Sequence, residues 1–197
     1  MHSPVKWLGA WALLCTELSL GLVFVLSSQA AVTASNSDVL DVTTETSGGV
    51  RARAHVTFHA KPSLILAMLT DYAHWPDLFE IRMRMADLKI RDGVALADVR
   101  IEHALLPGER RLVTRSRALS EHEIVTELVG GDFKKYRRVW KLTPLNGGTE
   151  TGADFDLLVE IDSVVPDWLV ALAMRRELEA HFRIVKEKAL ALSLRGN

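Results

Sequence analysis

The sequence predicts an α+β fold: a curved antiparallel sheet of about seven strands wrapped around one long C-terminal helix, with short helices after the first strand. Three observations predict it. Val50 to Ala60 alternates residue by residue between two kinds of side chain. About six further strand-like segments follow, separated only by short turns. The chain then closes on helical periodicity from Pro166 to about Leu194.

In "VRARAHVTFHA", Val50, Ala52, Ala54, Val56 and Phe58 share one face, and Arg51, Arg53, His55, Thr57 and His59 the other. That period of two belongs to a half-buried strand. "KPSLILAMLTDYAHWPDL" changes period. Leu64, Met68 and Tyr72 are spaced by four, with Ile65 and Leu69 beside them, as on a short helix. Ser63 is its expected cap, and Trp75-Pro76 the expected stop.

The later strands are expected at Ile81 to Ile90, Val94 to Leu105, Arg110 to Ala118, Glu123 to Val129, Tyr136 to Thr143 and Thr149 to Ile161. Their separators, "RDG", "LPGE", "LSEH", "GGDFKK" and "PLNGG", are turn material. Connections this short join antiparallel neighbours, because parallel ones need long crossovers. Alternation slips between Met85 and Leu88, which predicts a bulge. It is cleanest in the last strand, where Ala153, Phe155, Leu157, Val159 and Ile161 share a face. Pro166 suits a first helical turn. Trp168, Leu172, Leu178, Phe182, Val185, Ala189 and Leu192 form the expected apolar stripe of the final helix.

The chain has 197 residues, 48% of them apolar and 25% charged, with net charge −1. This suits one well-cored domain and argues against a dedicated nucleic-acid binder. Residues 1–30 read as a signal peptide, with an uncleaved membrane anchor through residues 7–26 as the alternative. Ser28-Gln29-Ala30 or Val32-Thr33-Ala34 suits cleavage. The expectation is therefore a domain that is exported, periplasmic or extracellular, or held at a membrane. Cys15, the only cysteine, lies in this leader, so the domain has no disulfide and no Cys-based metal site. Residues 31–48 are polar and Gly-terminated and read as a linker. The domain is expected over residues 49–195.

Four stretches carry a resemblance: "LTDYAHWPDLF", "GGDFKKYRRVWKLTP", "NGGTETGADFDL" and "VPDWLVALAMRREL". From about Gly49 to Ala191 the chain resembles the START-like (SRPBCC, helix-grip) superfamily, especially its polyketide cyclase/dehydrase and coenzyme-Q-binding types. That family often has glycine two residues before the hairpin tryptophan; here the place is Arg138. The resemblance implies a deep apolar pocket between sheet and helix for a lipid, quinone, sterol-like or polyketide molecule. Some members are aromatase/cyclases and many are carriers, so fold alone does not decide function.

Strand parity puts Met83, Met85, Val99, Ile101, His103, Thr114, Ser116, Thr126, Trp140, Phe155 and Leu157 on inner faces. Trp168 and Leu172 are expected opposite them on the helix. Together these are the candidate ligand-binding residues. His103, near a strand end, is the one weak catalytic candidate, as an acid or base. His55 and His59 are about 13 Å apart on a strand, too far to share a metal. No metal and no cofactor is expected. The expected partner is an apolar small molecule such as a lipid or quinone. Lys134, Lys135, Arg137 and Arg138 read as a solvated hairpin tip suited to acidic lipid headgroups at a membrane surface. Three functions follow: carriage of the apolar molecule; a cyclase or dehydratase using His103; or an interaction module whose core is filled by its own side chains.

Overall fold

The computed structural model describes residues 38–106 and 108–195. The predicted leader lies outside the described residues, as does the first part of the predicted linker.

Eight strands form one antiparallel sheet in the order β1-β2-β8-β7-β6-β5-β4-β3. They are β1 (Val39–Thr44), β2 (Val50–Phe58), β3 (Arg82–Arg91), β4 (Val94–Glu102), β5 (Glu109–Ser120), β6 (Glu123–Gly131), β7 (Phe133–Leu145) and β8 (Glu150–Ile161). Helix α1 (Pro62–Thr70) and a 3-10 helix (Tyr72–Leu78) fill the β2–β3 connection, and α2 (Asp167–Arg195) ends the fold. The expected bulge is present as a register shift between Met85 and Asp87.

The additional strand is β1, inside the stretch expected to be linker. Val39 to Thr44 pairs antiparallel with His55 to Val50. Leu40 and Val42 are half-buried there, packed on the main core. The glycines that suggested a linker make a hairpin turn instead. Gly49 has φ +94°, and a Cβ there would lie 2.6 Å from the Val159 carbonyl oxygen. Only glycine accepts both constraints.

Two local expectations are corrected. Ser63 does not cap α1, because Pro62 already occupies the first turn and Lys61 flanks it without a side-chain cap. Trp75-Pro76 does not stop the helical segment, which runs on in 3-10 form to Leu78. Trp75 is pinned there by donating its indole N–H to the Leu69 carbonyl at 3.0 Å.

Long α2 starts beside the β1–β2 turn, where the Asp167 carboxylate accepts the Gly49 N–H at 3.0 Å. The helix then lies on β1 and β2 and against the 3-10 helix and α1. Its buried residues Leu178, Phe182, Val185 and Ala189 join the main core with Phe58, Trp140 and Phe155. A second cluster, Ala97, Val99, Ile101 and Leu112, includes no residue of α2. The helix therefore adds nothing to this cluster, and a cleft lies between its first turns and the wall at Ile101.

Candidate functional site

The cleft is an apolar cavity of about 150 Å³ under the first turns of α2. Ile81, Ile101, His103, Leu105 and Leu106 form the wall from the β3–β5 side. Phe133 and Ile161 close the β7–β8 end, while Val170, Ala173, Met174 and Glu177 come from α2.

His103 and Glu177 are the polar pair at this wall. The Leu105 backbone N–H donates to His103 Nδ1 at 3.1 Å. In the neutral ring the proton then sits on Nε2, which faces Glu177 Oε1 at 3.8 Å. The imidazole thus offers the cavity an N–H, since its lone pair already serves Leu105. Glu177 Oε2 is buried with no hydrogen-bond partner among the described residues.

The candidate residues fall into five groups. Ile101 and His103 line this cavity. Met83, Met85 and Val99 lie behind it in the β3–β5 cluster. Trp140, Phe155 and Leu157 are buried deeper, in the main core. There Trp140 and Phe155 are filled-in neighbours, with ring centroids 4.6 Å apart and Phe182 against both. Thr114, Ser116 and Thr126 are all buried on the inner face. Ser116 and Thr126 satisfy each other through hydroxyls 2.9 Å apart, whereas Thr114 Oγ1 has no partner among the described residues.

Trp168 and Leu172 do not line the cavity; they are 65% and 62% exposed. The reason is angular. From Leu172 to Leu178 a helix turns through about 600°, so the two residues face about 120° apart. The expected stripe mixed two faces. The inward face of these first turns carries Val170, Ala173, Met174 and Glu177. Val164, just ahead of α2, is 96% exposed as well, so three large apolar side chains face solvent around the start of the helix.

The expected basic tip is also corrected. Lys134 pairs with Asp162 at 3.0 Å and Lys135 with Glu160 at 2.6 Å. Arg138 is buried, with its guanidinium carbon 4.2 Å from the centre of the Trp75 ring. Strand parity contained this signal, because an inward Trp140 requires an inward Arg138.

Sequence reasoning missed a second interior residue, His181. It is buried on α2, and its Nδ1–H donates to the Leu78 carbonyl at 2.8 Å. Its ring stacks on Phe79, with centroids 4.4 Å apart. Burial pushes its pKa down to about 4, with the nearby Arg138 charge acting in the same direction. Its place between Leu178 and Val185, both on the buried face, was the available clue.

Residues 58–181 match the family model described as polyketide cyclase/dehydrase and lipid transport. The chain belongs to this family. No curated protein matches it. Among solved structures, one from Thermus thermophilus is 18% identical, with a TM-score of 0.60, covering 73% of this chain and 99% of that one. A START superfamily protein from Mycobacterium smegmatis is 23% identical, with a TM-score of 0.59, covering 72% and 98%. The Zhui aromatase/cyclase from a Streptomyces species is 13% identical, with a TM-score of 0.55, covering 71% and 92%. These likenesses establish the START-like, helix-grip fold.

Proposed function

We propose that this START-like protein binds and carries an apolar small molecule, lipid-like or quinone-like, in the cavity beneath the start of α2. The carrying observation is an open apolar cavity with one N–H donor and one carboxylate at its wall. A dry cavity of about this volume takes a group the size of benzene. It therefore suits a ring or a short length of chain, with the remainder of the molecule extending along the cleft.

Cyclase or dehydratase chemistry with His103 as the base has less support, because the Leu105 N–H already occupies the lone pair that a base needs. Exposed Val164, Trp168 and Leu172 support loading at a lipid surface. Tryptophan suits such an interface, with an apolar ring and a polar N–H. This agrees with a domain exported from the cytoplasm or anchored through residues 7–26.

Mass spectrometry of an organic extract of the protein, purified from its native membrane fraction, tests carriage. A stoichiometric lipid or quinone is expected. Finding none, with none binding on titration, would sink the reading. Trp168→Ser with Leu172→Ser is expected to cut binding to neutral liposomes at least fivefold while leaving the folded spectrum unchanged.

A further inference from the structure

β7 carries Tyr136, Arg138 and Trp140 on alternate positions, opposite Val159, Leu157 and Phe155 of β8. Arg138 also stands opposite Thr126 of β6, which in turn faces Ser116 of β5. The guanidinium is thus carried into the interior by strand register, and Arg138 is only 6% exposed.

Several other arginines of the sheet meet acids, although Arg110 Nε is buried without a partner among the described residues. Arg51 meets Asp156, Arg84 meets Glu109, and Arg111 meets Asp98. Among the described residues no carboxylate lies within ion-pair distance of Arg138, and its Nε is buried without a hydrogen-bond partner. One aromatic face, Trp75, offsets only part of the cost of burying a cation.

Other inward-facing polar atoms are also buried without partners among the described residues: Thr114 Oγ1, Trp140 Nε1 and His181 Nε2. The Trp140 and His181 rings lie 6.1 Å apart. Trp75, which the guanidinium covers, packs edge-on against Tyr72 with ring centroids 4.9 Å apart. Two of the three atoms can donate, as the arginine does. A planar carboxylate is the group that a guanidinium fork binds through paired, charge-assisted hydrogen bonds.

We propose that Arg138 anchors a carboxylate head group on the apolar molecule, so that the ligand is an apolar acid bound head inward. This rests on the carriage reading above. Arg138 itself does not line the cavity; it lies deeper on the same inner face of the sheet, beside the core ring of Trp140. The head group would have to part the core side chains between the cavity and the arginine, while the tail fills the apolar cavity.

The test is titration of the full-length protein with dodecanoate and with 1-dodecanol, followed by tryptophan fluorescence. Wild type is expected to bind the acid at least tenfold more tightly than the alcohol. Arg138→Met should abolish that preference, leave alcohol binding unchanged, and melt no lower than wild type. Equal wild-type affinity for acid and alcohol overturns the anchor but leaves carriage standing. So does a preference that survives Arg138→Met. Binding of neither probe overturns the carriage reading and the anchor with it. The wild-type comparison needs no variant, so it decides even where Arg138→Met fails to fold.

Discussion

The outer and inner faces of the sheet handle polar groups in opposite ways. On the outer face charges meet across strands, as Arg82 does with Glu102 at 3.2 Å and Arg111 with Asp98 at 2.7 Å. Water or a partner serves most groups there, and little energy hangs on any exposed pair, although Asp98 Oδ1 and Arg100 Nε are buried without a hydrogen bond among the described residues. On the inner face Arg138, Thr114, Trp140 and His181 each keep an atom with no partner among the described residues. An unmet polar atom in a dry interior costs far more than a broken surface pair. The same unmet atoms therefore weigh on stability and mark where a ligand's polar group belongs.

The contrast is broken most severely by removing the aromatic centre of the inner face. Trp140 is 1% exposed and touches Phe58, Phe155 and Phe182. Trp140→Ala is expected to cost about 4 kcal/mol, as large-to-small core changes do. Urea denaturation of the two proteins measures it. A loss under 1 kcal/mol would mean that the interior around this ring is loosely filled, and the inner face would then be no different from the outer.

The next effect is a pH dependence belonging to His181. Its folded pKa lies at about 4, below the ordinary value of 6.5, mainly because burial disfavours the charged ring. The unfolded chain therefore takes up this proton first. Stability from this group is complete above about pH 6.5, falls as the solution is acidified, and levels off below about pH 4. Across that window the loss approaches roughly 3 kcal/mol, at about 1.4 kcal/mol per pH unit. Exposed His74 has the opposite sign: hydrogen bonding to Asp71 raises its pKa, so its small contribution fades as pH rises. Comparing wild type with His181→Phe at pH 7.5 and 4.5 removes that background. An unchanged acid slope in the variant would show that His181 is not the group responsible.

Much of the fold was legible because alternation is a short-range signal. Each residue of β2 and β8 shows its face by its neighbours two positions away, and the burial of Ala52, Val56, Phe155 and Val159 follows it. The bulge near Met85 was legible for the same reason. The site was less so. Helical phase accumulates 100° per residue, and grouping Trp168 and Leu172 with Leu178 overlooked that rotation. Arg138 was misread because its composition, in a run of four basic residues, outweighed its parity. How far the aromatic rings fill the space between sheet and helix depends on three-dimensional packing, which no spacing in the chain reports. This is why Trp140 and Phe155 proved to be core, whereas Ile101 and His103 border a void.

The smallest effect sharpens the comparison from the other side. Arg82 and Glu102 are cross-strand partners, with side chains 84% and 50% exposed. A double-mutant cycle with Arg82→Ala and Glu102→Ala is expected to give a coupling of about 0.5 kcal/mol or less. Raising the salt from 0.05 to 0.5 M should shrink it further, because the screening length falls well below the spacing of the surface charges. A coupling above about 2 kcal/mol, insensitive to salt, would mean that this pair is shielded from water. Covering the outer face in that way would need a bound partner or surface, and charge pairing would then say as much about binding outside the sheet as the unmet atoms do within it.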